Sequence, residues 1–238
     1  MLVRTAASGA ALIGAAVGGW GILTSADGLP RYSWRHNFIS EIAVPWNPLA
    51  DRFNTSLEVA GLLTLLFGGY MLHQARTRLG RAGAVLAILA ALSAVAVGYF
   101  PVTRFWPHMI AAAAIAGFSL ASAVVASLAA RRATRGADPL ARRLGAASLA
   151  ATAAAALALL LLIGYFLWVS IRVWPGSIDR LLRLLPRELL VDIAGSYYNP
   201  LAVLEWTLFA TIGAQLIGFA AAELTGYASR VRTVDRPG

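Results

Sequence analysis

A handful of residues in this 238-residue chain have types that could do chemistry: His36, Asn37, Ser40 and Glu41 in one short stretch, then a lone His108 and a lone Glu205. Glu58, Arg104 and Tyr198 stand beside them at the edges of apolar runs. A histidine acting as general base, a glutamate orienting it and Ser40 or a metal-bound water as nucleophile would make a hydrolytic or transfer site. His108, Glu41 and Glu205 are also suitable zinc ligands. No HExxH or paired-histidine spacing accompanies them, so we assign no metal and no cofactor. The chain has no cysteine, which removes disulfides, thiolate metal sites and cysteine nucleophiles.

Six long apolar runs must position these residues: Leu2–Thr24, Leu57–Leu72, Ala82–Phe100, Met109–Ala130, Leu144–Ile171 and Leu201–Tyr227. A bilayer core about 30 Å thick is crossed by roughly 20 apolar helical residues. Barrel strands would alternate apolar and polar positions, whereas these runs are apolar on every face. Backbone groups in lipid must pair internally, so the expected architecture is all-α: one domain, residues 1–238, folded as a six-helix transmembrane bundle. Composition agrees, with 59% hydrophobic residues against 13% charged and a mean hydropathy of +0.69. The first run, ending at Thr24-Ser25-Ala26, loosely mimics a signal peptide; it is long for one, and we read it as a retained helix.

All twenty basic residues are arginine, and the net charge is +9. With a cytoplasmic amino terminus, twelve arginines fall in short inner segments and eight outside, where six acids offset most of them. Both termini are therefore expected in the cytoplasm of a bacterial cell, with the protein multi-pass in its inner membrane. The basic loops meet anionic lipid headgroups rather than nucleic acid.

The outer segments carry the information. The tryptophans lie at or near the outer ends of the spans, a belt so one-sided that the outer face is expected to bind something amphipathic, a lipid or a membrane-protein partner. Ser177–Ile193 is amphipathic at helical spacing, with Ile178, Leu181, Leu182, Leu185 and Leu189 on one stripe, which predicts an interfacial helix. Trp46-Asn47-Pro48-Leu49-Ala50 and Tyr198-Asn199-Pro200-Leu201-Ala202 echo each other as capped helix starts. Glu58 and Glu205 lie inside the helices that follow, where a carboxylate at the edge of hydrocarbon is costly enough to imply function.

These marks resemble a family. His36-Asn37-Phe38-Ile39-Ser40-Glu41 with Pro45, Pro48 and Phe53 resembles the "ISEL" segment of bacterial and archaeal membrane proteins grouped as family 998 of the domains of unknown function. Gly98-Tyr99-Phe100-Pro101 followed by His108 is similar to their junction between the third and fourth spans, and Glu205-Trp206 to their acidic mark in the last span. The Frag/DRAM-like six-span proteins show a similar order. The resemblance implies a six-helix fold with one outward-facing polar cluster and no settled reaction.

Three functions fit. A non-catalytic lipid-binding or assembly protein, whose cluster pins the outer loops to the bundle, needs the fewest assumptions. The others are an enzyme acting on a lipid or lipid-linked substrate at headgroup level and a proton-coupled transporter using Glu58 and Glu205.

Overall fold

The computed structural model describes residues 2–35, 37–133 and 200–224, with short helical pieces at 152–153, 156–157, 160–161 and 164. Among these residues the fold is all-helical. Five helices are long and apolar enough to cross a membrane. They are α1 (Leu2–Ala26), α2 (Ala50–Gln74), α3 (Arg78–Tyr99), α4 (Phe105–Ala133) and α5 (Pro200–Leu224), which carries the sixth apolar run; a short 3-10 segment, Ile39–Ala43, lies between α1 and α2. Most of the fifth run and all of Ser177–Ile193 lie outside the described residues.

Helices α1 to α4 are each longer than their apolar runs alone. Twenty-five residues at about 1.5 Å each give α2 a length near 37 Å, more than the hydrocarbon core requires. Asp51, Arg52 and Asn54 are therefore helical, and α2 starts seven residues before Leu57. Hydropathy marks where lipid is met; hydrogen bonding continues until a cap intervenes. Pro200 opens α5 as the sequence predicts, whereas Pro48 stands two residues ahead of α2.

Consecutive helices pack side by side through α4, and α5 returns to lie against α1 and touch α4. No pair is held by a wide apolar stripe, since all faces are apolar; small residues set the approach instead. At Gly98 of α3, an added Cβ would lie 2.5 Å from the Asn54 carbonyl and 2.6 Å from Glu58 Cγ. Ser122 of α4 donates to the Gly83 carbonyl at 2.9 Å across the α3–α4 seam. The Ala113-Gly117-Ala121 track on α4 reads in sequence as a packing face, but Ala113 and Gly117 are exposed. A Cβ at Gly117 would meet no atom of the described residues within 4 Å. Small-xxx-small spacing shows that close approach is permitted, not which side a neighbour occupies.

The largest core lies at the end of the bundle where α1 finishes and α2 begins, called here the loop end. Ile39, Ile42 and Ala43 from the 3-10 segment enter it beside Phe53, Leu57, Val97, Ala111 and Ile115. A second core of Ala7, Ala11, Phe67 and Ala220 closes the opposite end. Glu223, whose place in the sequence suggests a solvated residue, is only 3% exposed there, and Tyr70 Oη donates to it at 3.4 Å.

The Gly98 contact makes a direct prediction. Gly98→Val forces α2 and α3 apart and should cost about 1–3 kcal/mol, seen as a melting point several degrees lower in detergent. Gly9→Val, where an added Cβ meets no atom of the described residues within 4 Å, should melt close to the parent. Equal melting of the two variants would show that the α2–α3 approach is not tight.

Candidate functional site

Segment 37–43 leaves α1 through a turn and re-enters the bundle as a plug, burying Ile39 (3% exposed) and Ile42 (fully buried) at the loop end. Full burial of an isoleucine is worth about 2–3 kcal/mol, so the pair supplies the driving force for docking. Backbone bonds such as Glu41 N–H to the Phe38 carbonyl and Asn37 N–H to the Ser33 carbonyl satisfy only part of this segment, and the remaining groups need other partners. Side chains take that role.

Ile39 N–H donates to Glu205 Oε2 at 2.7 Å, joining residues 166 apart in sequence. Trp206 Nε1 donates to the Asn37 carbonyl at 3.2 Å, and Tyr32 Oη donates to the Phe38 carbonyl at 3.0 Å. Phe38 N–H goes to Glu41 Oε1 at 3.2 Å, while Asn37 Nδ2 goes to Glu41 Oε2 at 2.7 Å. Ser33 N–H closes the loop on Asn37 Oδ1 at 3.0 Å. Tyr32 and Trp206 meet edge to face, 6.5 Å between centroids. Glu205 and Trp206, consecutive on α5, thus hold the plug at the backbone of Ile39 and of Asn37, and Trp206 adds a ring contact to the Tyr32 loop.

Asn47 fixes the plug from behind. Only 3% exposed, it donates through Nδ2 to the carbonyls of Ser25 at 3.0 Å and Ile42 at 2.7 Å. Its Oδ1 accepts from Leu49 N–H at 2.9 Å. One amide ties the end of α1, the plug and the approach to α2. Gly28 is required beside it, because an added Cβ would stand 2.0 Å from Asn47 Oδ1.

Burial pushes the Glu41 carboxyl above the ordinary carboxylate range, against the opposing effect of its bonds from Asn37 and Phe38. The Tyr32 phenol is raised as well, first by burial and then by the charges of Glu205 and Glu41. No arginine forms an ion pair with either glutamate among the described residues.

The other residues singled out in the sequence are not gathered here. His108 is 1% exposed, and its Nδ1 lies 2.8 Å from the Phe100 carbonyl, at the α3–α4 corner. A carbonyl only accepts, so Nδ1 carries the proton and Nε2 the free lone pair. His108 shares no hydrogen bond or ion pair with Ser40, Glu41 or Glu205 among the described residues. Ser40 is half-buried, Arg104 exposed and Glu58 half-buried on α2 against Gly98. His36 and Tyr198 lie outside the described residues. Among those described, no three metal-ligating side chains converge. Tyr32 carried no signal in the sequence; it lies in a loop, and only the fold brings it to Phe38 and Trp206.

Below the plug a cavity of about 420 Å³ runs down the bundle, lined by all five helices and almost wholly apolar. Ile39 and Trp206 form part of its wall, and Phe67 and Phe219 narrow its far end. Of its few polar side chains, Thr64 is spent on the Ala60 carbonyl, Ser122 on Gly83 and Gln215 on Thr152.

A bundle of membrane-length helices with a side-chain-tied plug over an apolar cavity is a multi-pass membrane protein. The chain belongs to the family described as protein of unknown function (DUF998), which matches residues 7–186. That stretch contains the plug and His108, while Glu205 falls beyond it. No curated protein and no solved structure matches the chain.

Two outcomes follow from these bonds. Glu205→Leu leaves the Ile39 N–H buried without an acceptor, at about 1–3 kcal/mol, and amide exchange at 37–41 should rise at least tenfold. Glu205→Gln retains an acceptor oxygen and should change exchange far less; equal effects would show that the carboxylate does not hold the plug. For Glu41 the folded protein holds its proton more tightly than the unfolded chain does. Stability should therefore decline as pH rises from the ordinary carboxylate value through the raised one. Glu41→Gln should flatten that decline in melting curves recorded between about pH 4 and 8; an unchanged slope would assign it elsewhere.

Proposed function

We propose that this protein is a non-catalytic lipid-binding protein of the bacterial cell membrane, with six spans and both termini in the cytoplasm, holding one hydrocarbon chain in its central cavity. The cavity is the observation that carries the reading. About 420 Å³ lies within the range of small-molecule sites, roughly 300–1,000 Å³. An apolar space of this kind is poorly wetted, and in a bilayer the apolar molecules at hand are lipid chains.

The sixth span is the fifth run, Leu144–Ile171. Its described pieces are helical; Thr152 is fully buried and accepts from Gln215 at 2.8 Å, while Ala156 packs with Leu208 and Ile212 of α5. The exposed Trp20, Trp34, Trp46 and Trp106 and the arginine asymmetry support placing the loop end outside.

The bonding of the polar cluster favours binding over catalysis. Its carboxylates and amides bond the plug and the turns beside it, and His108 is engaged elsewhere. A transporter needs a polar lane through the bundle, and the polar side chains along this cavity are mostly paired with neighbours.

Extraction into polymer-bounded native discs followed by native mass spectrometry should find one lipid retained per chain. Ala94→Leu combined with Ser119→Leu, both on the cavity wall, should reduce retention at least fivefold while the variant still melts cooperatively. No retained lipid in the parent, or undiminished retention in a folded variant, would defeat the reading. Topology is tested in the cysteine-free chain: cysteines at Asp51 and Asp179 should react with an impermeant reagent added outside, and one at Gly136 should not. The reverse pattern would invert the orientation.

A further inference from the structure

We infer that the seam between α1 and α5 is a lateral window through which a lipid chain passes between the bilayer and the central cavity. The inference rests on the lipid-binding reading and adds its route.

The two helices meet firmly at both ends. Toward the far end, Ala7 and Ala11 share a buried cluster with Ala220, and Leu216 packs against it. At the loop end, Ile22 and Ala26 of α1 and Trp206 and Phe209 of α5 pack on the same core. By helical period, Ala11, Ala15 and Ile22 form one stripe of α1, with Gly19 at its edge. Trp206, Phe209, Gly213, Leu216 and Ala220 form one stripe of α5. The middle of the seam therefore sets Ala15 and Gly19 against Gly213, with no large side chain on either stripe there.

Three observations show that this stretch is open. Ala15, Gly19 and Gly213 all line the cavity. A Cβ built at Gly19 or at Gly213 meets no atom of the described residues within 4 Å. Leu23 and Ile217, which flank this stretch, line the same cavity and are also 66% and 46% exposed; a strongly exposed side chain on a cavity wall is what the rim of an aperture requires.

The depth of the aperture identifies what uses it. Ala15 and Gly213 each fall midway along a 25-residue helix, which places the window near the middle of the hydrocarbon layer. Water and headgroups are scarce at that depth, and acyl chains fill it. Trp206 and the plug close the seam above the window, so a polar headgroup remains outside the bundle while its chain enters. The site accordingly takes a bilayer lipid by its hydrocarbon chain. No aqueous amphiphile needs to pass the plug.

The test uses the full chain in phosphatidylcholine vesicles containing a phospholipid with a mid-chain diazirine and another with a pyrene-labelled chain. Irradiation of the parent should place adducts on residues 15–23 and 210–217. Gly19→Phe with Gly213→Phe, built where Cβ atoms have room, should slow exchange of bound pyrene lipid at least tenfold. Gly117→Phe, on the exposed face of α4, should leave it unchanged. Lipid bound normally but exchanging at the parental rate in the folded double variant would overturn the window and leave the binding site standing. If the double variant does not fold, the parent's adducts decide: labels confined to outward faces of α2, α3 and α4 would overturn it. Absence of any retained lipid in the parent would remove the binding reading, and the window with it.

Discussion

A backbone N–H carried into the top of a membrane bundle must find an acceptor, and at Ile39 the acceptor is a carboxylate from a helix 166 residues away. An unpaired group at that depth costs several kcal/mol, comparable to the gain from burying Ile39 itself. Apolar burial and backbone pairing thus constrain each other. The isoleucines pull the 3-10 segment inward, and it can stay only in the register where Glu205, Trp206, Tyr32, Glu41 and Asn47 meet its exposed polar groups. In a soluble protein water would relax this condition. Here it fixes how the segment between α1 and α2 is placed, and hence how the first two helices stand relative to the last.

That dependence explains why charged residues occupy the site without an ion pair among the described residues. A carboxylate accepts at two oxygens without donating, which suits a segment presenting unsatisfied N–H groups. Glu41 serves Phe38 N–H and the Asn37 amide, and Glu205 serves Ile39. Burial raises the cost of the charge on Glu41, and its two hydrogen bonds return only part of it. The geometry of the plug is retained at a cost in stability at neutral pH, which is the behaviour of a group held for position rather than for strength.

Much of this was legible in the sequence because lipid imposes simple demands. Each of the five described long helices overlaps one of the six apolar runs, and Glu205 stood out because a carboxylate early in an apolar run needs a partner. The partner was not legible. The expected topology puts Glu205, Ser40, Glu41 and His108 at one membrane depth, and depth alone does not bring residues together. His108 turns to Phe100 a few residues away, while Tyr32 arrives from a loop without periodicity. Asn47 reads in sequence as a helix cap, a local role; its amide in fact reaches back 22 residues to Ser25. The α4 track of small residues failed for a related reason. Spacing defines a face, and only the arrangement of all the helices says what that face meets.

Plug and cavity are physically one device, because Ile39 and Trp206 belong to both. Ile39 offers its N–H to Glu205 and its side chain to the cavity roof; Trp206 gives its Nε1 to Asn37 and its ring to the wall. Displacing the plug would open the apolar space upward to the headgroup region and water, so the hydrogen bonds that place the loop also hold the cavity roof. Closing the roof leaves the small-residue seam between α1 and α5 as the lower-barrier route for hydrocarbon. The polar cluster at the loop end, bonded chiefly to the plug and the turns beside it, is then the reason that the apolar site is reached sideways.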